Sequence, residues 1–153
     1  ELLAVATSDA QAITAERDEQ EREAALRSLG VEPGGTVPPA LRAQLKALEE
    51  DQKRRARRSL HDGLDRILVD LLSLYRDILM LQLGTGLDPV NLAIYAELEA
   101  AAAASTPTQT LATLDAIATA RERIEGNVAP ALALEAMLIS AVRSAPTSTL
   151  GKA

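Results

Sequence analysis

His61 is the single histidine of the chain, and it stands beside Asp62 and close to Asp65. An imidazole among carboxylates could act as a general base or open a metal site. Either role needs partners. No second histidine and no cysteine exists, and no G-x-S-x-G nucleophile turn occurs in the sequence. His61 therefore reads as a solvated or boundary residue at the edge of a polar helical face. Asp62, Asp65, Asp70 and Asp77 could supply carboxylates to a metal, but the helical di-metal pattern requires Glu-x-x-His on facing helices, and it is missing. Their spacing instead suits Asp62–Arg66 and Arg66–Asp70 pairs on a helix surface. Gly84-Thr85-Gly86 and Gly34-Gly35 lack the spacing of a phosphate-binding loop. No catalytic residue, cofactor site or metal site is expected.

The densest charge feature is Lys53, Arg54, Arg55, Arg57 and Arg58. Such a cluster could meet nucleic acid or an acidic partner. The favoured reading is pairing within the fold or plain solvation, because a turn near residues 30–38 would bring positions 11–19 alongside 51–58. Glu16, Asp18 and Glu19 would then lie within reach. The formal net charge of -6 weighs against the chain as a whole binding phosphate backbones, which needs a basic surface. Two tyrosines and no Phe or Trp leave little on which bases could stack.

These residues must be carried by helices. The scarcity of aromatics requires a core of Leu, Ile, Val, Ala and Met, and the rest of the composition favours helix over strand. Residues 2–29 contain neither Gly nor Pro, and Gly30 is placed as a helix stop. A loop through the Gly/Pro-rich segment 32–38 follows, and Pro39 suits the first turn of a long helix reaching about residue 83. That helix has a narrow stripe at Leu41, Leu45 and Leu48. Its second half is a wide apolar face from Leu60 to Leu83, with Asp62, Asp65, Arg66, Asp70, Ser73 and Asp77 on the other side. Asp88-Pro89 reads as a helix start through about Ala104. Ser105-Thr106-Pro107 opens another, with Leu111, Leu114, Ile117, Ala118 and Ile124 as its stripe. Gly126-Asn127 ends it, and Asn127 is expected to cap a last helix from Val128 to about Arg143.

The expected organisation is all-α: a helical hairpin over 1–58 with its loop at 30–38, a helical bundle over 59–143, and a disordered tail over 144–153. The last helix is apolar nearly all round, so it is either central or pressed against another subunit. Leu132, Met137 and Ile139 are its expected outward contact residues. No apolar run approaches the length that spans a bilayer. The opening Glu1-Leu2-Leu3-Ala4 lacks the basic region of a signal peptide and reads as a cut within a helix of a longer cytoplasmic protein.

Four segments carry a family resemblance. Gln44–Arg55 (QLKALEEDQKRR) leads into Asp62–Leu71 (DGLDRILVDL). Leu74–Leu79 (LYRDIL) and Asn127–Met137 (NVAPALALEAM) follow. In this order they resemble the C-terminal region of the delta-prime subunits of the bacterial DNA polymerase III clamp loader, across nearly the whole chain. The resemblance implies a collar domain that holds clamp-loader subunits together for sliding-clamp loading in DNA replication. It also implies contacts with the delta and tau/gamma collars, with the ATPase-type modules elsewhere. The related tau/gamma subunits share a similar domain. None of the four segments is catalytic, and direct nucleic-acid binding by this fragment is not expected. The alternative reading is a nucleic-acid-binding hairpin that uses the basic cluster at 53–58.

Overall fold

The computed structural model describes residues 2–31 and 38–143. Among them are five α-helices, one 3-10 turn and no strand: α1 Leu2–Ser28, α2 Pro39–Gln82, the turn Leu92–Ile94, α3 Tyr95–Ala104, α4 Pro107–Glu125 and α5 Pro130–Arg143. The all-helical expectation holds. Most of the loop expected at 30–38, and the tail expected over 144–153, lie outside the described residues. The chain divides into two compact units, Glu1–Leu64 and Asp65–Ala153.

Three helices end in the same way. Gly30, Gly84 and Asn127 adopt left-handed backbone, with φ of 70, 60 and 62. In each case the next residue donates its N–H back to the carbonyl five positions earlier: Val31 to Leu26 (3.0 Å), Thr85 to Met80 (3.3 Å) and Val128 to Arg123 (2.9 Å). This closure satisfies carbonyls that the helix would otherwise leave unpaired. Glycine adopts the conformation without a Cβ penalty, and asparagine tolerates it better than most residues. Asn127 is thus the terminator of α4 and does not cap α5, which begins three residues later with Pro130 in its first turn.

In the first unit, α1 and the N-terminal part of α2 run antiparallel. Gln52 Nε2 donates to the Asp18 carbonyl at 2.9 Å, and Arg22 lies 3.6 Å from Glu49. Among the described side chains of this unit, only Val31 and Leu64 are buried apolar residues. The middle of the hairpin is joined by polar groups instead. Arg55 reaches Asp18 and Glu21 on α1 and Asp51 on its own helix. The pairing register differs from the one expected. Arg55 does meet Asp18, but its second partner on α1 is Glu21, while Glu16 and Glu19 face solvent.

The second unit has an apolar core. Leu68, Ile78, Leu98, Ala116, Ile117, Ala120, Ile124, Ala133, Leu134 and Met137 are buried. α4 packs on α5. Its start is fixed by a reciprocal cap, in which Thr106 Oγ1 accepts from the Gln109 N–H and Gln109 Oε1 accepts from the Thr106 N–H. Gln82, at the end of α2, donates to the Ala102 and Ser105 carbonyls and to Ser105 Oγ, tying α2 to the end of α3. Two details of α4 differ from expectation. Leu111 is half exposed, and the small residues Ala116 and Ala120 occupy buried positions beside Ile117 and Ile124.

The helix expected to open at Asp88-Pro89 does not start there. Residues 85–91 are irregular, the 3-10 turn begins at Leu92, and α3 begins at Tyr95. Asp77 is the physical reason. Its carboxylate accepts from the Asn91 backbone N–H (2.9 Å) and from Asn91 Nδ2 (2.7 Å), and Nδ2 also donates to Ser73 Oγ (3.2 Å). This anchor holds the backbone against α2 until residue 91. Asp77, placed by its sequence position on the polar side of α2, is in fact 1% exposed.

Candidate protein-interaction surface

α5 is a short helix rich in Ala and Leu, and its two sides have different fates. Ala133, Leu134 and Met137 are buried. Ala136, Met137 and Ser140 line one wall of an open groove of about 360 Å³, with Ala112, Asp115 and Ala116 of α4 among the residues opposite. The other side stays uncovered: Leu132 is 62% exposed, Leu138 58%, Ile139 59% and Val142 70%. Positions 132, 135, 139 and 142 are separated by alternating steps of three and four, which aligns them along one edge of a helix. This is the spacing of a seam that packs against a second helix. The structure therefore separates the three residues expected to face outward. Leu132 and Ile139 do so, whereas Met137, only 7% exposed, belongs to the core of its own unit. It stands four residues after Ala133 and three after Leu134, on the side of α5 that packs inward.

A second group of uncovered apolar side chains lies in the segment joining α2 to α3. Leu83, Leu87, Val90 and Leu92 are each more than half exposed, and Ile94 and Tyr95 are partly so. The Asp77–Asn91 anchor fixes the base of this segment. Burial pushes the Asp77 carboxyl up, but hydrogen bonds from Asn91 and Val90 and the neighbouring Arg76 charge outweigh it, and the net shift is downward. The carboxylate is thereby kept ionised as an acceptor. Sequence reasoning missed this surface because nothing in a periodic pattern announces a loop that folds back onto a helix flank. The available signal was the pairing of an Asp one residue before Ile78 with an Asn fourteen positions later.

The basic cluster is divided by the fold. Lys53 pairs with Glu50 (3.1 Å) and Arg54 with Asp51 (3.0 Å), both along α2. Arg55 turns inward to Asp18 and Glu21. These bonds raise the Arg55 pKa: the Glu21 hydrogen bond dominates, and the Asp18 bond adds to it. Glu21 itself is pushed up by partial desolvation, but Arg55 and Arg17 bring its net shift down. Arg57 and Arg58 are exposed and make no ion pair with a described residue.

The other candidates are dispersed. His61 is half-buried on α2. Asp62, Arg66 and Asp70 are exposed, and the expected Asp62–Arg66 and Arg66–Asp70 pairs do not form. Asp65 instead pairs across helices with Arg121, which also reaches Glu125 at 3.6 Å. Among the described residues, no three His, Asp or Glu side chains converge as a metal site would require. Among the described residues, no helix is long and apolar enough to cross a membrane. No family model, curated protein or solved structure matches the chain.

Proposed function

We propose that this chain is a structural assembly domain: the C-terminal collar of a delta-prime-type subunit in a bacterial clamp loader. The reading rests on the sequence segments named above and on one structural observation, the uncovered seam of Leu132, Ile139 and Val142 on α5. Apolar side chains in such a row are a common mark of a protein interface, and a helix presenting them accepts another helix. In this reading the domain carries out no reaction itself. It binds delta and tau/gamma collar domains in the cytoplasm and so holds together the modules that load the sliding clamp.

The test is co-elution. Mixed with a tau/gamma collar fragment, the purified chain should leave a size-exclusion column in a common peak, and separate elution of the two counts against the reading. A second reading has a narrower basis: Arg57 and Arg58 are exposed cations without an ion pair among the described residues. Contact with DNA through them would give an affinity that falls steeply with salt. A flat titration at low salt removes that reading.

A further inference from the structure

Between Arg76 and Arg121 the chain has no Lys, Arg or His. Arg76 is itself paired with Asp77 at 3.4 Å, and Arg121 is paired with Asp65. The carboxylates of this stretch must therefore find cations elsewhere or stay in water. Asp88 and Glu99 are exposed, and neither makes an ion pair with a described residue.

Tyr95 joins these two acids to the uncovered apolar side chains between α2 and α3. Its hydroxyl donates to the Glu99 carboxylate, one helical turn further on. The Glu99 bond and charge, with partial desolvation and the nearby Asp88 charge, raise the tyrosine pKa. Asp88 itself lies between the exposed Leu87 and, beyond the buried Pro89, the exposed Val90. The apolar patch thus has an acidic pole with a partly exposed aromatic ring in it.

That pole limits what can cover the patch. Apolar side chains alone would accept many surfaces, but a carboxylate that loses water without gaining a cation is costly. An anionic membrane or a phosphate backbone would bring more negative charge. A Lys or Arg side chain answers both acids, and it can also rest on the ring of Tyr95, whose π-system attracts cations.

We propose that residues 83–95 form a second docking surface, separate from α5, for an apolar segment of another protein whose Lys or Arg is received by Asp88, Tyr95 and Glu99. The proposal does not depend on the reading of α5. The apolar side chains supply the contact area, and the acidic pole selects the partner.

The test uses the full chain and two fluorescent Leu-rich peptides that differ only in a central Lys or Glu. The Lys peptide should bind wild type at least about tenfold more tightly than the Glu peptide. Asp88→Asn/Glu99→Gln should abolish that preference. Leu87→Ser/Val90→Ser should weaken binding of the Lys peptide at least about tenfold in a protein that melts as wild type does. Leu132→Asp/Ile139→Asp should leave both affinities unchanged, so docking on α5 can fail without this proposal failing. Equal affinity of the two peptides for wild type, no binding of either, or binding indifferent to Leu87→Ser/Val90→Ser would overturn it. So would wild-type dimers in sedimentation equilibrium, or adsorption to phosphatidylcholine vesicles, that Leu87→Ser/Val90→Ser abolishes: the occupant would then be a second copy or a membrane.

Discussion

The hairpin and the bundle are held by different forces. Among the described side chains of the hairpin, the ties between the arms are hydrogen bonds and ion pairs centred on Arg55 and Gln52, and few apolar ones are buried. In the bundle, Leu68, Leu98, Ile117 and Ala133 are almost wholly removed from water. Apolar burial is insensitive to moderate salt and to acid. Charge pairs at a half-exposed surface weaken under both. The two units should therefore respond to different perturbations, and the surface assigned to partner binding lies on the one with the apolar core.

The largest effect should come from the bundle core. Leu68→Ala should cost about 2–5 kcal/mol, because a side chain with no exposure leaves a cavity that its neighbours fill only in part. Thermal denaturation by circular dichroism reads this directly. A loss below 1 kcal/mol would mean that the core is loosely packed.

Next is the anchor at Asp77. Replacing it with Ala removes the acceptor for two Asn91 donors and should cost about 1–3 kcal/mol. Hydrogen exchange of residues 83–94 should rise more than exchange in α4. The same carboxyl sets a pH dependence. Its pKa in the fold is below the ordinary 3.8, so its contribution is complete above that value and is lost as pH falls through the lower, folded-state value. Urea melts at descending pH should show Asp77→Asn less acid-sensitive than wild type.

Arg55→Met should loosen the hairpin while leaving the melting of the bundle unchanged. Its signature is salt dependence. In wild type the distance between spin labels on α1 and the N-terminal part of α2 should spread as salt rises; in Arg55→Met it should already be broad at low salt. A distance distribution unaffected by salt or by the substitution would show that the polar ties contribute little. The smallest effect on folding is expected at Leu132, where substitution by Asp should stay within about 0.5 kcal/mol, as is usual for exposed positions.

Much of this architecture can be read from the sequence because its punctuation is local. Gly30 and Gly84 end helices by their backbone freedom, Pro39 and Pro107 open them, and Thr106 with Gln109 forms a cap across three residues. What could not be read depends on distant partners. Asp77 looks like a surface carboxylate until Asn91 arrives from the next segment. Met137 looks as apolar as Ile139 two residues away, and only the position of α4 decides which of them is covered. Asp65 has a nearby Arg66 in sequence but meets Arg121 in space. The outward apolar side of the last helix was recognisable from its composition, whereas the exposed segment around Leu87 and Val90 was not, since its display depends on the Asp77 anchor.

The central claim is that the outer face of α5 is a docking surface. Isothermal titration of a tau/gamma collar fragment into wild type and into the Leu132→Asp/Ile139→Asp double variant tests it most directly, with melting curves recorded on both. The expected result is an affinity lowered by about a hundredfold or more, equivalent to about 2.8 kcal/mol, in a variant that melts as wild type does. Equal affinity for the two proteins would contradict the claim.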